Sequence, residues 1–210
     1  MSTGRPGRFI SLEGGEGVGK STQVRALAGA LRARGCDVVE TREPGGSPGA
    51  EAIRQLILDG AADRWGPRAE ALLFAASRSD HVDRTIRPAL ARGAWVVSDR
   101  FVDSSVAYQG ADGLGGEAVW TLHAIGSTGL LPDRTLLLSL SLETAVERET
   151  ARDAGAVDRF GQRDLAYRTT VEENFRQLAA SDPARWRTID ATGTADAVTI
   201  RLVHAVEDLL

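Results

Sequence analysis

"EGGEGVGKS", residues Glu13 to Ser21, holds the only lysine of a 210-residue chain whose other 24 basic residues are all arginine. Its glycines free successive backbone N–H groups to turn inward onto an anion. Gly14, Gly19, Lys20 and Ser21 match the phosphate-binding spacing G-x-x-x-x-G-K-[ST]. The context agrees with the pattern. Phe9 to Leu12 is an apolar run of strand length, and Val24, Leu27, Ala28 and Leu31 recur at helical spacing behind the loop, with Gly35 as the stop. A phosphate then sits on the N-terminus of that helix. A plain glycine turn needs neither the lysine nor the hydroxyl at those places. The stretch therefore assigns Gly14, Gly15, Glu16, Gly17, Val18, Gly19, Lys20, Ser21 and Thr22 to ATP, with Lys20 reaching the β and γ phosphates and Ser21 a ligand for Mg²⁺.

Outward from this loop, further strand-length runs lie at Val38 to Thr41, Trp95 to Ser98, Leu136 to Leu140 and Trp186 to Ile189. Helical patterns separate them, near Ala50 to Leu58, Pro67 to Ala91 and Glu117 to Ile125, and an amphipathic helix over Ala195 to Leu210 closes the chain. The alternation predicts an α/β fold: a five-stranded parallel sheet with helices on both faces, in one domain spanning residues 1–210. "RETARDAGAVDRFGQRD", Arg148 to Asp164, interrupts the rhythm between helical stretches at Leu142 and Leu165. It reads either as a solvated helix junction or as a short mobile lid carrying arginines.

A net charge of −4 argues against a broad basic surface, and so against a nucleic-acid polymer as partner. Local arginine clusters still suit small anions. Cys36, the single cysteine, excludes an internal disulfide, fits a reducing compartment and is expected in a strand. "MSTGRPGRFIS" offers no apolar signal-peptide core, and no stretch approaches 18 apolar residues; the expectation is a soluble cytoplasmic protein without membrane contact. "WVVSDRF", Trp95 to Phe101, is an apolar strand that ends in Asp99 and Arg100. Ligands of doubly wound sheets lie at the carboxyl ends of strands, so these charges should face the glycine loop's crevice. Asp99 is placed to hold Mg²⁺ with Ser21, and Arg100 to contact a phosphate with two nitrogens.

With these residues in place, the chain resembles the thymidylate kinases, nucleoside monophosphate kinases of the P-loop class that pass phosphate from ATP to dTMP. The similarity runs through "EGGEGVGKST" (Glu13 to Thr22), "TREPGG" (Thr41 to Gly46), "LLFAASR" (Leu72 to Arg78) and "DRFVDSSVAYQG" (Asp99 to Gly110), in the same order and spacing. The resemblance implies that Phe74 stacks on the pyrimidine and that Arg78, one turn later, addresses a base oxygen. It also implies that Ser105 bonds the base edge, that Gln109 belongs to the same pocket, and that Tyr108 crowds the sugar 2′ position. Glu16 would turn outward to the acceptor's 3′ hydroxyl, and Arg42 and Arg100 would hold the acceptor phosphate. Taken alone, Phe74 reads as a core residue, Arg78 as a solvated charge and Tyr108 as a packed surface aromatic. The attacking oxygen belongs to an already ionised phosphate, so positioning and charge neutralisation dominate. Lys20 and Arg100 would act with a lid arginine, Arg152 first, with Arg148 and Arg159 as rivals. The lid arginine matters because Gly17 stands where some family members carry a basic residue.

Four positions depart from the family pattern: Gly161 for a glutamate, Ser139 and Ser77 for aspartates, and His123 for an asparagine. The resemblance further implies a homodimer. Two alternatives are a kinase for another or 5-modified deoxypyrimidine monophosphate, and a partitioning-type ATPase switch. Loops of that switch carry an additional lysine five residues before the loop lysine, and this chain has Gly15 there.

Overall fold

The computed structural model describes residues 6–61, 63–153 and 164–210, with residues 152 and 153 described by their helical backbone alone. Five strands pair in parallel in the order β2-β3-β1-β4-β5: β1 is Phe9–Glu13, β2 Val38–Arg42, β3 Trp95–Asp99, β4 Arg134–Ser139 and β5 Trp186–Asp190. The helices among the described residues are α1 (Lys20–Ala33), α2 (Pro48–Leu58), α3 (Pro67–His81), α4 (Arg87–Ala91), α5 (Val102–Ala111), α6 (Gly116–Ser127), α7 (Leu142–Asp153), α8 (Leu165–Ser181) and α9 (Ala195–Ala205). None is long and apolar enough to cross a membrane.

Alternation along the central strands feeds two cores. Ile10, Leu12, Trp95 and Val97 point to the face covered by α1 and α9, where they meet Leu27, Leu31, Val198 and Leu202. Phe9 and Val96 point to the other face and pack with Phe101, Val102 and Ile86. Each large aliphatic or aromatic side chain withdrawn from water contributes about 1.5–3 kcal/mol, so strands buried on both faces hold the sheet's centre. Ser11, on the second face, is satisfied by Thr135 Oγ1 at 3.2 Å. Beneath α5 and beside that pair, Asp103 accepts two bonds from Arg185 at 2.6 and 3.0 Å, a buried charge pair that ties α5 to the start of β5.

Three expectations change. Pro67 to Ala91 is not one helix: α3 passes through a π-helical turn at Val82–Ile86 before α4. Pro88 has no N–H to give to the preceding turn and its ring crowds that turn's carbonyl, so the helix widens before it. Cys36 lies outside β2, in the connection from α1. Its N–H caps Leu31 O at 3.2 Å, because Gly35, at φ +83°, has already turned the chain. The closing helix stops at Ala205, and a single 3₁₀ turn, Glu207–Leu209, follows; Ile200 of that helix is 70% exposed.

Candidate active site

The glycine loop leaves β1 and enters α1 through three residues with positive φ: Gly14 (135°), Gly17 (74°) and Gly19 (97°). Gly17 also lies so close to α7 that an added Cβ would meet Ala145 O at 2.0 Å. A side chain at this position would require α7 to shift. Lys20 is the first residue of α1 and is buried. Its ammonium donates to Gly14 O at 3.1 Å and Gly15 O at 2.6 Å. Burial, and next the charge of Arg100, push its pKa down to about 8 against the pull of Glu16, Asp99 and Glu13. Ser21 Oγ donates to Asp99 Oδ2 at 2.6 Å, joining the start of α1 to the end of β3. A hydroxyl and a carboxylate oxygen are hard donors of the kind that could hold Mg²⁺. Among the described residues no group of three or more His, Cys, Asp or Glu could hold a metal.

Arg100 adopts φ +70°, in the left-handed region that non-glycine residues seldom enter. Its Nη1 donates to Gly14 O (3.0 Å) and Ser104 Oγ (2.9 Å), and its Nη2 to Glu16 Oε1 (2.6 Å) and Tyr108 Oη (3.0 Å). The guanidinium also lies over the Tyr108 ring, 4.9 Å from its centroid, and Tyr108 Oη donates to Glu16 Oε1 at 3.1 Å. Burial opposes the Arg100 charge, but Glu16, Tyr108 and Asp99 outweigh it and raise its pKa. The Tyr108 phenol is pushed up chiefly by burial. Glu13, to which the motif gave no role, is fully buried behind this cluster. It accepts Phe101 N–H at 2.8 Å and Ser104 Oγ–H at 2.5 Å. Burial, then the neighbouring Asp103 charge, raises its pKa to about 8.

A cleft of about 1250 Å³ runs along the carboxyl ends of β1, β2 and β3. Its walls bring together Glu16 to Thr22, Arg42, Phe74, Asp99, Arg100, Ser105, Tyr108 and Gln109. Gly14 and Gly15 instead line a smaller hollow of about 260 Å³ behind the loop, between the end of β4, α7 and α8. Arg78 is not on the cleft wall. It lies buried behind Ser105, donating to Ser105 Oγ at 2.6 Å and through Nε to Glu43 Oε2 at 2.7 Å. Glu43 Oε1 lies 2.9 Å from His81 Nδ1, and His81 Nε2 lies 2.6 Å from Thr41 Oγ1. Burial pushes the Glu43 carboxyl up, yet Arg78 and His81 together hold its pKa below the usual carboxylate value. Gln109 donates to Glu70 Oε1 at 3.2 Å, while its buried Oε1 has no partner among the described residues. Arg42 is exposed and paired with both oxygens of Glu51 at 3.1 and 3.0 Å.

Of the three rival arginines, Arg148 projects from α7 to the cleft, where Nη1 donates to Ala191 O at 3.3 Å. The Arg152 side chain lies outside the described residues. So do Arg159 and Gly161, and with them most of the expected lid. Among the departures, Ser77 accepts Gly45 N–H at 3.3 Å and so supports the "TREPGG" turn. His123 packs edge-on against Phe101, away from the cleft, with Nε2 2.8 Å from Leu130 O. Ser139 is exposed at the end of β4. Glu13, Glu43 and His81 escaped the sequence reading because each acts through another side chain. Their only signal was a carboxylate at the end of an apolar strand and a Glu-Pro turn.

A phosphate loop and an Asp-Arg strand end share one crevice with an aromatic-walled acceptor hollow, on a parallel sheet of this order; this defines a P-loop nucleoside monophosphate kinase. Comparison with known proteins narrows the class. The family model described as thymidylate kinase matches residues 12–201. A thymidylate kinase of Rhizorhabdus wittichii is 66% identical over 98% of this chain and 99% of its own. One of Caulobacter vibrioides is 50% identical over 95% and 96%. The crystal structure of thymidylate kinase from Ehrlichia chaffeensis superposes with a TM-score of 0.79 at 26% identity, covering 96% of this chain and 99% of that one. The chain belongs to the thymidylate kinase family. Neither the partitioning ATPase nor another deoxypyrimidine acceptor is favoured by these matches.

Proposed function

We propose that the chain carries out its family's reaction, transfer of the γ-phosphoryl group of ATP to dTMP to give dTDP and ADP, with the residue roles that follow. The observation that carries this reading is the single cleft in which Lys20, Ser21 and Asp99 share walls with Phe74, Ser105 and Tyr108. Lys20 exchanges two neutral loop carbonyls for the β and γ phosphates, a stronger charge-assisted contact. Ser21 and Asp99 hold Mg²⁺, which when bound neutralises part of the phosphate charge. Arg100 turns its donors from Glu16 and Gly14 O to the acceptor phosphate, and Glu16 then accepts the 3′ hydroxyl. Phe74 stacks on the pyrimidine, and Ser105, oriented by Arg78, meets its edge together with the unpartnered Gln109 Oε1. Tyr108 closes the 2′ position, and Arg42 assists at the phosphate. A lid arginine, Arg152 before Arg148 or Arg159, stabilises the moving phosphoryl group.

An ADP-release assay with Mg²⁺ and ATP across four acceptors tests this. The expected order is dTMP faster than dUMP, and both much faster than dCMP or UMP. Equal rates on dTMP and UMP remove the Tyr108 assignment, and ADP release independent of any acceptor removes the kinase reading. The working assembly is a homodimer in the cytoplasm. Supporting the dimer, α3 and α6 pack side by side and expose Leu72 (56%) and Ile125 (76%); the free Cys36 suits a reducing compartment.

A further inference from the structure

We propose that Glu13 is a positioning residue for Arg100: its buried carboxylate caps the β3–α5 turn from the neighbouring strand and so fixes the guanidinium that meets the acceptor phosphate. The inference rests on the role given to Arg100 above.

The sheet ladder explains why such a device is needed. β1 and β3 pair with Leu12 opposite Asp99, and the last rung between them is Arg100 N–H to Leu12 O at 3.0 Å. At Arg100 the chain turns into φ +70°. The next donor, Phe101 N–H, therefore meets no backbone carbonyl of β1. It meets Glu13 Oε1 at 2.8 Å. Phe101 is the residue that caps α5 and has no side-chain oxygen to do so, and it is fully buried, so water cannot serve its N–H. The second carboxylate oxygen accepts the Ser104 hydroxyl at 2.5 Å, and that same hydroxyl accepts from Arg100 Nη1 at 2.9 Å. One carboxylate thus holds Arg100 twice, through the backbone that follows it and through the side chain that its guanidinium touches. A left-handed non-glycine residue persists only where its surroundings over-determine it. Here the surroundings are Leu12 O, Glu13 and Ser98 Oγ, which donates to Arg100 O at 2.7 Å.

Glutamine at position 13 keeps an acceptor for Phe101 but faces Ser104 with a donor, so the two contacts can be separated from loss of the cap. The test is steady-state kinetics with ATP and dTMP on purified full-length Glu13→Gln, Ser104→Ala and Arg100→Ala, and on the double variants that combine each of the first two with Arg100→Ala, together with melting temperatures. Glu13→Gln is expected to lower kcat/KM for dTMP by about tenfold, leave KM for ATP unchanged and lose nothing further in the Arg100→Ala background. Ser104→Ala is expected to follow the same pattern with a smaller loss, and it decides the matter if Glu13→Gln does not fold. Equal losses with and without Arg100, or wild-type kinetics in both single variants, overturn the proposal. An Arg100→Ala enzyme with normal kinetics overturns instead the role given to Arg100, so the two failures are told apart.

Discussion

Lys20 pays for its position in burial: folding disfavours its charged form, and among the described residues its ammonium bonds two loop carbonyls and no carboxylate. Its value must then lie in what it meets on binding. Lys20→Ala is expected to lower kcat/KM at least about a hundredfold, as loss of one charge-stabilising donor does, while the melting temperature holds or rises because a desolvated cation is gone. A variant that loses activity only by unfolding would refute this. The lid arginine is separable by rate. Arg152→Ala is expected to lower kcat more than it raises KM for dTMP, and an unchanged kcat moves the role to Arg148 or Arg159.

Between residue and fold stands the turn after β2, where Glu43 links Arg78 and His81 under the acceptor hollow. Its carboxyl titrates below the unfolded value, so the folded state binds fewer protons there. The stability it contributes is present above the unfolded pKa and lost as pH falls through the carboxylate range. Glu43→Gln is expected to lose about 3 kcal/mol at neutral pH by breaking a buried pair, roughly 6–12 °C in melting temperature. Its further fall between about pH 6 and about pH 4 is expected to be smaller than the wild type's, and parallel slopes would sink the assignment. The strands and α1 were legible because apolar residues recur at strand and helix periods. α5 was not legible as a helix. "VDSSVAYQGA" is buried on nearly every side, so it carries serine, aspartate and glutamine toward partners and has no apolar stripe. The loop, Asp99 and Arg100 were readable because their chemistry needs fixed spacing. Glu13 and Glu43 were not, since a buried carboxylate is identified by donors more than thirty residues away.

For the whole molecule, the exposed aliphatic residues of α3 and α6 carry the dimer prediction. In size-exclusion chromatography with light scattering the wild type is expected at twice the chain mass and Leu72→Glu at the chain mass, a charge on a buried apolar face being costly. A monomeric wild type would remove the homodimer. The strand order has a different consequence, in time. β3 lies between β2 and β1, so the first two strands to leave a ribosome are not neighbours and wait for the third. Ser21 meets its aspartate across 78 positions, and Glu16 its arginine across 84. A nascent chain halted before Asp99 would therefore display the whole glycine loop and still have no nucleotide site. Competence arrives only when the middle of the message has been translated.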